Sequence, residues 1–169
     1  MPLNSVLSRP EMNPRLRKRP RFGDVVKITA SAGHAIAQYT HKHEEFGALV
    51  RVFEKPKGRK GLEASEIAGL PVQFSTFFPL GAACNRGIAE IIGNAPVRSE
   101  LEAFPVFRFA RTFDPSKTTD RWWLWDGEKD WFVGSLTKAQ RELPLQAIMN
   151  DTFLVQRAVE GWRSRDDPR

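Results

Sequence analysis

The chain has 169 residues, 41% of them hydrophobic, which is enough to form one domain with a sizeable core. Its single cysteine, Cys84, excludes an intramolecular disulfide and a cysteine-based zinc cluster. The N-terminal arginines precede no apolar run of the kind found in a signal peptide, and no stretch is long enough to cross a bilayer, so we expect a cytoplasmic protein.

The positive charge is concentrated at the two ends of the chain. Of the net charge of +6, residues 1–21 carry +5 and residues 163–169 carry +1, so residues 22–162 are neutral in sum. We therefore predict a basic disordered arm (1–21), a single β-rich domain (22–162) and a short tail (163–169). The arm holds the only candidates for nucleic-acid contact, which are Arg15, Arg17, Lys18, Arg19 and Arg21. No groove-reading motif accompanies them, so specific nucleic-acid binding is not expected.

The first third of the domain predicts three strands, at residues 24–29, 34–40 and 46–53. Each run is rich in β-branched or aromatic residues, and the first alternates between apolar and polar positions. Residues 41–45 (HKHEE) are polar, and we interpret them as a loop between the second and third strands.

Short elements with turn residues between them continue through the middle of the chain. In order they are a helical turn at 63–69, strands at 72–79 and 87–93 separated by a small-residue turn at 81–83, a short helix at 96–103 and a strand at 106–112.

A tryptophan-rich hairpin is the strongest local signal in the sequence. Residues 121–134 contain four of the five tryptophans, in two apolar runs that flank the turn pair Asp126-Gly127. Alternation places Trp122 and Leu124 on one face and Trp123 and Trp125 on the other, so we expect this hairpin to anchor the core. The alternative is a ligand-stacking platform, for which Trp123, Trp125 and Asp126 are the candidate binding residues; for Asp126, a turn role is a sufficient explanation.

The end of the chain is predicted to be helical. One helical turn covers residues 138–142, and a final helix is capped by Asp151 or Thr152, presents an apolar face and ends at Gly161. The tally favours a mainly β fold of the β-rich α+β type: a strongly bent antiparallel sheet or small barrel with a C-terminal helix.

Candidate chemistry is limited to one cluster. In an extended segment, His41 and His43 point to the same face, the spacing that strands use for metal ligands. A catalytic metal needs about three protein ligands, and Glu44 or a distant aspartate would have to complete the set. Two histidines in a charged segment are more often simply solvated, so we assign no catalytic residue and no metal ligand.

Five short motifs, in a fixed order, resemble a known family. They are GDVVKI at 23–28, IGNAP at 92–96, WLWDG at 123–127, LPL at 143–145 and NDT at 150–152. Together they resemble the immunity protein 26 family, whose label also carries a phosphotriesterase name, over about residues 22–160. The resemblance implies a small bacterial cytoplasmic protein that binds and neutralises a polymorphic toxin.

Two functions from different classes follow from this resemblance. The first is a non-catalytic immunity protein that needs no cofactor and whose partner is a cognate toxin. The second is a hydrolase of phosphotriesters that uses a divalent metal held by His41, His43 and Glu44, because such chemistry usually needs a metal to polarise the phosphoryl group. We favour the binding protein, since the sequence offers so few metal ligands.

Overall fold

The protein is described by a computed structural model that covers residues 18–111 and 118–169. Within these residues it is β-rich, and short helices lie between or after the strands. The strands are β1 (Asp24–Ala30), β2 (Gly33–His43), β3 (Gly47–Phe53), β4 (Val72–Phe78), β5 (Ala89–Asn94), β6 (Phe107–Ala110), β7 (Trp122–Trp125) and β8 (Asp130–Gly134). The helices are α1 (Ala64–Ala68), α2 (Leu80–Asn85), α3 (Ser99–Glu102), α4 (Lys138–Arg141) and α5 (Asp151–Glu160), followed by a 3-10 turn at Ser164–Asp166.

The first five strands form one antiparallel sheet, called sheet A here, in the order β4-β3-β2-β1-β5. β1, β2 and β3 pair through two successive hairpins, β4 pairs with β3 after a longer connection that contains α1, and β5 returns to pair with β1 at the far edge. Gly23 lets the chain enter β1 against the end of β5. Its φ of 85° is left-handed, and a Cβ there would lie 2.7 Å from the Ala95 carbonyl oxygen.

One face of sheet A forms the larger hydrophobic core. Val26, Ala37 and Val52 are fully buried on this face, beneath α5. The N-cap of α5 is Asn150, whose side chain accepts a hydrogen bond from the Phe153 N–H, so the predicted cap at Asp151 or Thr152 is wrong; the helix ends at Gly161 in the left-handed conformation, as predicted. Burying one side of this helix supplies most of its stability, because a helix of ten residues is marginal by itself.

The last three strands form a smaller antiparallel sheet, sheet B, in the order β6-β7-β8. β7 and β8 are the predicted tryptophan hairpin, and Trp125 pairs with Asp130 at its closed end. Sheet B covers part of the second face of sheet A, where Leu49 and Phe77 pack with Phe107 and Trp125. The space between the sheets is therefore filled largely by aromatic rings.

Residues 144–149, called the strap here, join the edges of the two sheets. At one end, the Arg108 backbone N–H of β6 donates to the Pro144 carbonyl oxygen at 2.9 Å, and the Gln146 N–H donates to the Arg108 carbonyl oxygen at 3.0 Å. At the other end, the Met149 N–H donates to the Phe77 carbonyl oxygen of β4 at 3.0 Å. These parallel bridges protect one edge of each sheet that would otherwise be open.

The predicted fold class, a β-rich α+β fold with a C-terminal helix, is confirmed. The described strands do not close into a barrel: the bend is made by two sheets joined through the strap. The turn predicted at residues 81–83 is wrong, since these residues lie in α2, whose buried Leu80, Ala83 and Cys84 pack into the larger core.

The two ends of the chain differ in what the structure describes. Residues 1–17 of the predicted arm lie outside the described residues. The last seven residues, predicted as a tail, pack on the domain: Ser164 and Asp167 are buried, and the Arg163 guanidinium pairs with Glu54. Among the described residues, no helix combines the length and apolar character needed to span a membrane.

Candidate functional site

The two clustered histidines lie in a strand and not in a loop. β2 runs on to His43, so that His41 pairs with Leu49 and His43 with Gly47 of β3. The predicted loop at 41–45 is therefore wrong for its first three residues, because backbone pairing with β3 holds a polar segment extended. Both side chains share the face of sheet A that is turned toward sheet B, because a register shift between Tyr39 and His41 moves the histidines off the face of Ala37 and Tyr39.

His43 is part of the aromatic contact between the two sheets. Its ring centroid lies 4.9 Å from that of Trp125 and 5.3 Å from that of Phe46. Its Nε2 lies 3.0 Å from the Gly127 carbonyl oxygen, which can only accept, so Nε2 carries the proton. Nδ1 then accepts from the Glu45 N–H at 3.2 Å. Both ring nitrogens are engaged in holding the fold.

His41 is engaged in the same way. Its Nε2 donates to the Glu102 carbonyl oxygen at 2.7 Å, and its Nδ1 lies 2.9 Å from the Thr40 hydroxyl oxygen. Burial lowers the pKa of His41; the hydrogen bond to Glu102 opposes this shift, and the charge of Arg51 adds to it. The folded protein therefore favours the neutral form of the His41 ring.

Arg51 completes this network beneath residues 95–106, the connection from sheet A to sheet B. Its side chain is buried and donates to the Thr40 hydroxyl at 3.3 Å, to the Ser75 hydroxyl at 3.1 Å and to the Leu101 carbonyl oxygen at 3.4 Å. All of its partners among the described residues are neutral, and burial lowers its pKa to about 10, so it remains charged at pH 7. Arg51 and His41 together fix this connection on the sheet.

This geometry gives no support to the metal-hydrolase hypothesis. The four imidazole nitrogens already have protein partners, and Glu44 is exposed. Within residues 18–111 and 118–169, no group of three or more histidine, cysteine, aspartate or glutamate side chains is placed to hold a metal ion. Replacing both histidines would also disturb the contact between the sheets. A loss of activity in such a variant would therefore not distinguish a lost metal ligand from a destabilised fold.

The tryptophan hairpin divides into a buried strand and an exposed one. In β7, Trp122, Leu124 and Trp125 are buried, as predicted for a core anchor. In β8, which forms the outer edge of sheet B, Trp131 is 40% exposed and Phe132 is 53% exposed. The prediction that the whole hairpin anchors the core is therefore confirmed for β7 only.

The outer end of sheet B forms an open aromatic surface, called the open end here. It consists of Phe109, Trp123 and Phe132, with the guanidinium of Arg111 stacked 3.8 Å above the Trp123 ring. Arg111 also pairs with Asp130 at 3.1 Å. Of the two tryptophans named as binding candidates, Trp123 thus lies on a half-open face, and Trp125 lies in the core between the sheets.

Asp126 serves the turn of the hairpin. Its Oδ1 accepts hydrogen bonds from the Lys129 N–H at 2.8 Å and the Glu128 N–H at 2.9 Å. These bonds lower the pKa of Asp126. Its role in the turn is therefore a sufficient explanation for Asp126.

The basic arm is described only in part. Lys18, Arg19 and Arg21 are exposed, whereas Arg15 and Arg17 lie outside the described residues.

A second candidate site escaped the sequence analysis. The strap, β6, α5 and residues 167–169 enclose a cavity of about 480 Å³, and Arg108, Arg157 and Arg169 lie in its wall. We call it the arginine cleft. No local motif marks it, because its residues come from five separate segments, with Trp122 of β7 as the fifth; the excess of arginine near the chain end was the one signal available.

The fold and these sites define a two-sheet α+β protein in which His41 and His43 help to hold the two sheets together. Its open surfaces carry aromatic and arginine side chains. No family model, no curated protein and no solved structure matches the chain. The resemblance to the immunity protein 26 family stays a prediction from five short motifs.

Proposed function

We propose that this protein is a non-catalytic immunity protein that binds and neutralises a cognate bacterial toxin in the cytoplasm. The observation that carries the proposal is the open end of sheet B, an aromatic surface on a well-packed scaffold. The toxin as partner comes from the family resemblance; the binding surface comes from the side chains that the fold leaves uncovered.

The composition of the open end suits a protein interface. Tryptophan and arginine are enriched among the residues that dominate binding energy, and the stacking of Arg111 on Trp123 at 3.8 Å orders both side chains before a partner arrives. Pre-ordering matters because each flexible side chain that an interface immobilises costs roughly 0.5–1.5 kcal/mol.

Strand β8 adds a backbone component to this surface. It pairs with β7 along one edge, and among the described residues no strand pairs with the other. An exposed edge of this kind can accept a strand from a partner, and Trp131 and Phe132 then contact the partner on opposite faces. The five residues of β8 limit such pairing to a short segment.

The polar groups argue for binding in preference to catalysis. His41 and His43, the only clustered catalytic candidates, direct their protons at the backbone carbonyls of Glu102 and Gly127. A general base must reach a proton of the substrate, and these ring nitrogens are already occupied.

The test is to identify a toxin gene adjacent to the gene for this chain and to ask whether the chain protects cells that express it. We expect the wild-type chain to protect and to co-purify with the toxin. The double change Trp131→Ala, Phe132→Ala should weaken binding at least tenfold, equivalent to about 1.4 kcal/mol.

The matched control is Phe22→Ala, which removes another exposed ring, 60% accessible, that lies before β1 and contacts Tyr39 of β2. This variant should protect as well as the wild type. Failure of the wild-type chain to protect would end the immunity proposal, and full protection by the double variant would move the binding surface elsewhere on the molecule.

A further inference from the structure

The arginine cleft contains more positive charge than its own carboxylate neutralises. Arg108, Arg157 and Arg169 lie in its wall, and Asp167 is the one acidic residue among the described residues that line it. Asp167 is committed to Arg169, whose Nε and Nη2 lie 2.9 Å and 3.0 Å from its two oxygens. Within the part of the chain that the structure describes, the other two guanidinium groups have no carboxylate in salt-bridge contact.

Arg108 is the least satisfied of the three. It is fully buried, with Nε donating to the Leu143 carbonyl oxygen at 3.3 Å and Nη2 donating to that of Ser164. Nη1 has no hydrogen-bond partner among the described residues. Burial lowers its pKa to about 10, against the attraction of Asp167, so the group is charged at pH 7. A buried cation with an unused donor favours an anion nearby.

Arg157 presents its donors in a different way. Its guanidinium carbon lies 4.0 Å from the Phe153 ring centroid and 3.7 Å from the Trp162 ring centroid. Its one described side-chain hydrogen bond is the weak contact of Nη1 with the Met149 sulfur at 3.9 Å. Contacts with rings use no N–H donor, so the guanidinium keeps donors with which it can bind a carboxylate.

The remainder of the wall is largely apolar. Phe153, Leu145 and Ile148 contribute to it, and a volume of about 480 Å³ falls in the range of small-molecule pockets. An inorganic ion would leave this apolar surface uncovered, whereas an anionic group on an apolar body would contact both parts.

We propose that the arginine cleft binds a small organic carboxylate, with its anionic group on Arg157, in the field of the buried Arg108, and its apolar body against Phe153 and Ile148, the two exposed large apolar side chains of the wall. The proposal goes beyond the immunity function and does not depend on it. Its probe is phenylacetate, and phenylacetamide is the neutral molecule of the same shape.

The experiment titrates each probe into the full chain and follows the indole N–H signal of Trp122, whose Nε1 donates to the Thr119 carbonyl oxygen at 3.0 Å. For ten non-hydrogen atoms, we expect saturable binding of phenylacetate with a Kd on the order of 1 mM. Phenylacetamide should bind at least tenfold more weakly, and added salt should weaken phenylacetate further.

Three variants locate the site. Arg157→Gln should weaken phenylacetate at least tenfold. Arg165→Gln removes an exposed arginine that pairs with Glu142 outside the cleft, and it should change nothing. Asp167→Asn removes the competing carboxylate but keeps an oxygen for Arg169, and it should tighten binding severalfold.

Equal affinity for the amide, an equal loss in Arg165→Gln, or no saturable shift of the Trp122 signal would each overturn the proposal. The toxin-protection test is read independently, so either proposal can fail while the other stands.

Discussion

The two ends of the aromatic face of sheet B have the same local pattern and opposite surroundings. At the inner end, Phe107 is fully buried and Trp125 is 7% exposed. Two residues further along the same strands and on the same face, Phe109 and Trp123 are only partly buried, and Phe132 beside them is 53% exposed. Strand alternation therefore determines which residues share a face, and it does not determine whether that face is covered.

The difference comes from what sheet A can reach. Phe77 of β4 and His43 of β2 contact the inner end, with ring centroids 5.1 Å from Phe107 and 4.9 Å from Trp125. The ring contacts of Trp123 are with Phe109, Phe132 and Arg111, all within the outer part of sheet B. The inner end should therefore determine stability, and the outer end is free to bind.

The largest expected effect comes from the inner end. Trp125→Ala removes a ring from the middle of the aromatic cluster and should lower the free energy of unfolding by about 3–5 kcal/mol. Urea denaturation followed by far-UV circular dichroism measures this loss. A loss below about 1 kcal/mol would mean that the two ends do not differ in their contribution to stability.

A smaller effect should depend on pH. The pKa of His41 is lowered in the folded chain from its ordinary value of 6.5, mainly by burial, so the unfolded chain binds the proton more readily. The stability that the neutral ring contributes is fully present above pH 6.5 and is lost as the pH falls through the lower, folded pKa.

Urea midpoints at several pH values between about 7.5 and 5 test this, with His41→Gln as the comparison, since glutamine can donate to Glu102 without titrating. The variant should show a shallower decline. His34 has a lowered pKa too, from burial and the nearby Lys55 and Lys27, and its contribution should persist in that variant. Identical pH profiles for the wild type and the variant would mean that His41 does not contribute to the pH dependence of stability.

The smallest effect is expected at the outer end. Phe132→Ala removes an exposed ring from an edge strand and should change the free energy of unfolding by less than about 0.5–1 kcal/mol. The same urea experiment, run beside Trp125→Ala, gives the contrast directly. If the loss approached that of Trp125→Ala, the outer end would be part of the core and its binding role would lose its basis.

The local elements were predictable because their signals are local. The alternation of residues 24–29, the Asp126-Gly127 turn and the glycine that ends α5 each specify backbone geometry within a few residues. The terminal histidines of β2 were misread for the complementary reason: His41 and His43 look like loop residues until β3 supplies their hydrogen-bond partners.

The sequence by itself determined the β-rich class, the order of its strands, the tryptophan hairpin and the C-terminal helix, because hydrophobic period and turn chemistry act over short distances. Only the tertiary structure decided that the strap joins two sheets, that one end of an aromatic face is buried, and that three distant arginines share a cavity. Those features depend on contacts between segments tens of residues apart, and no local pattern encodes which partner each surface meets.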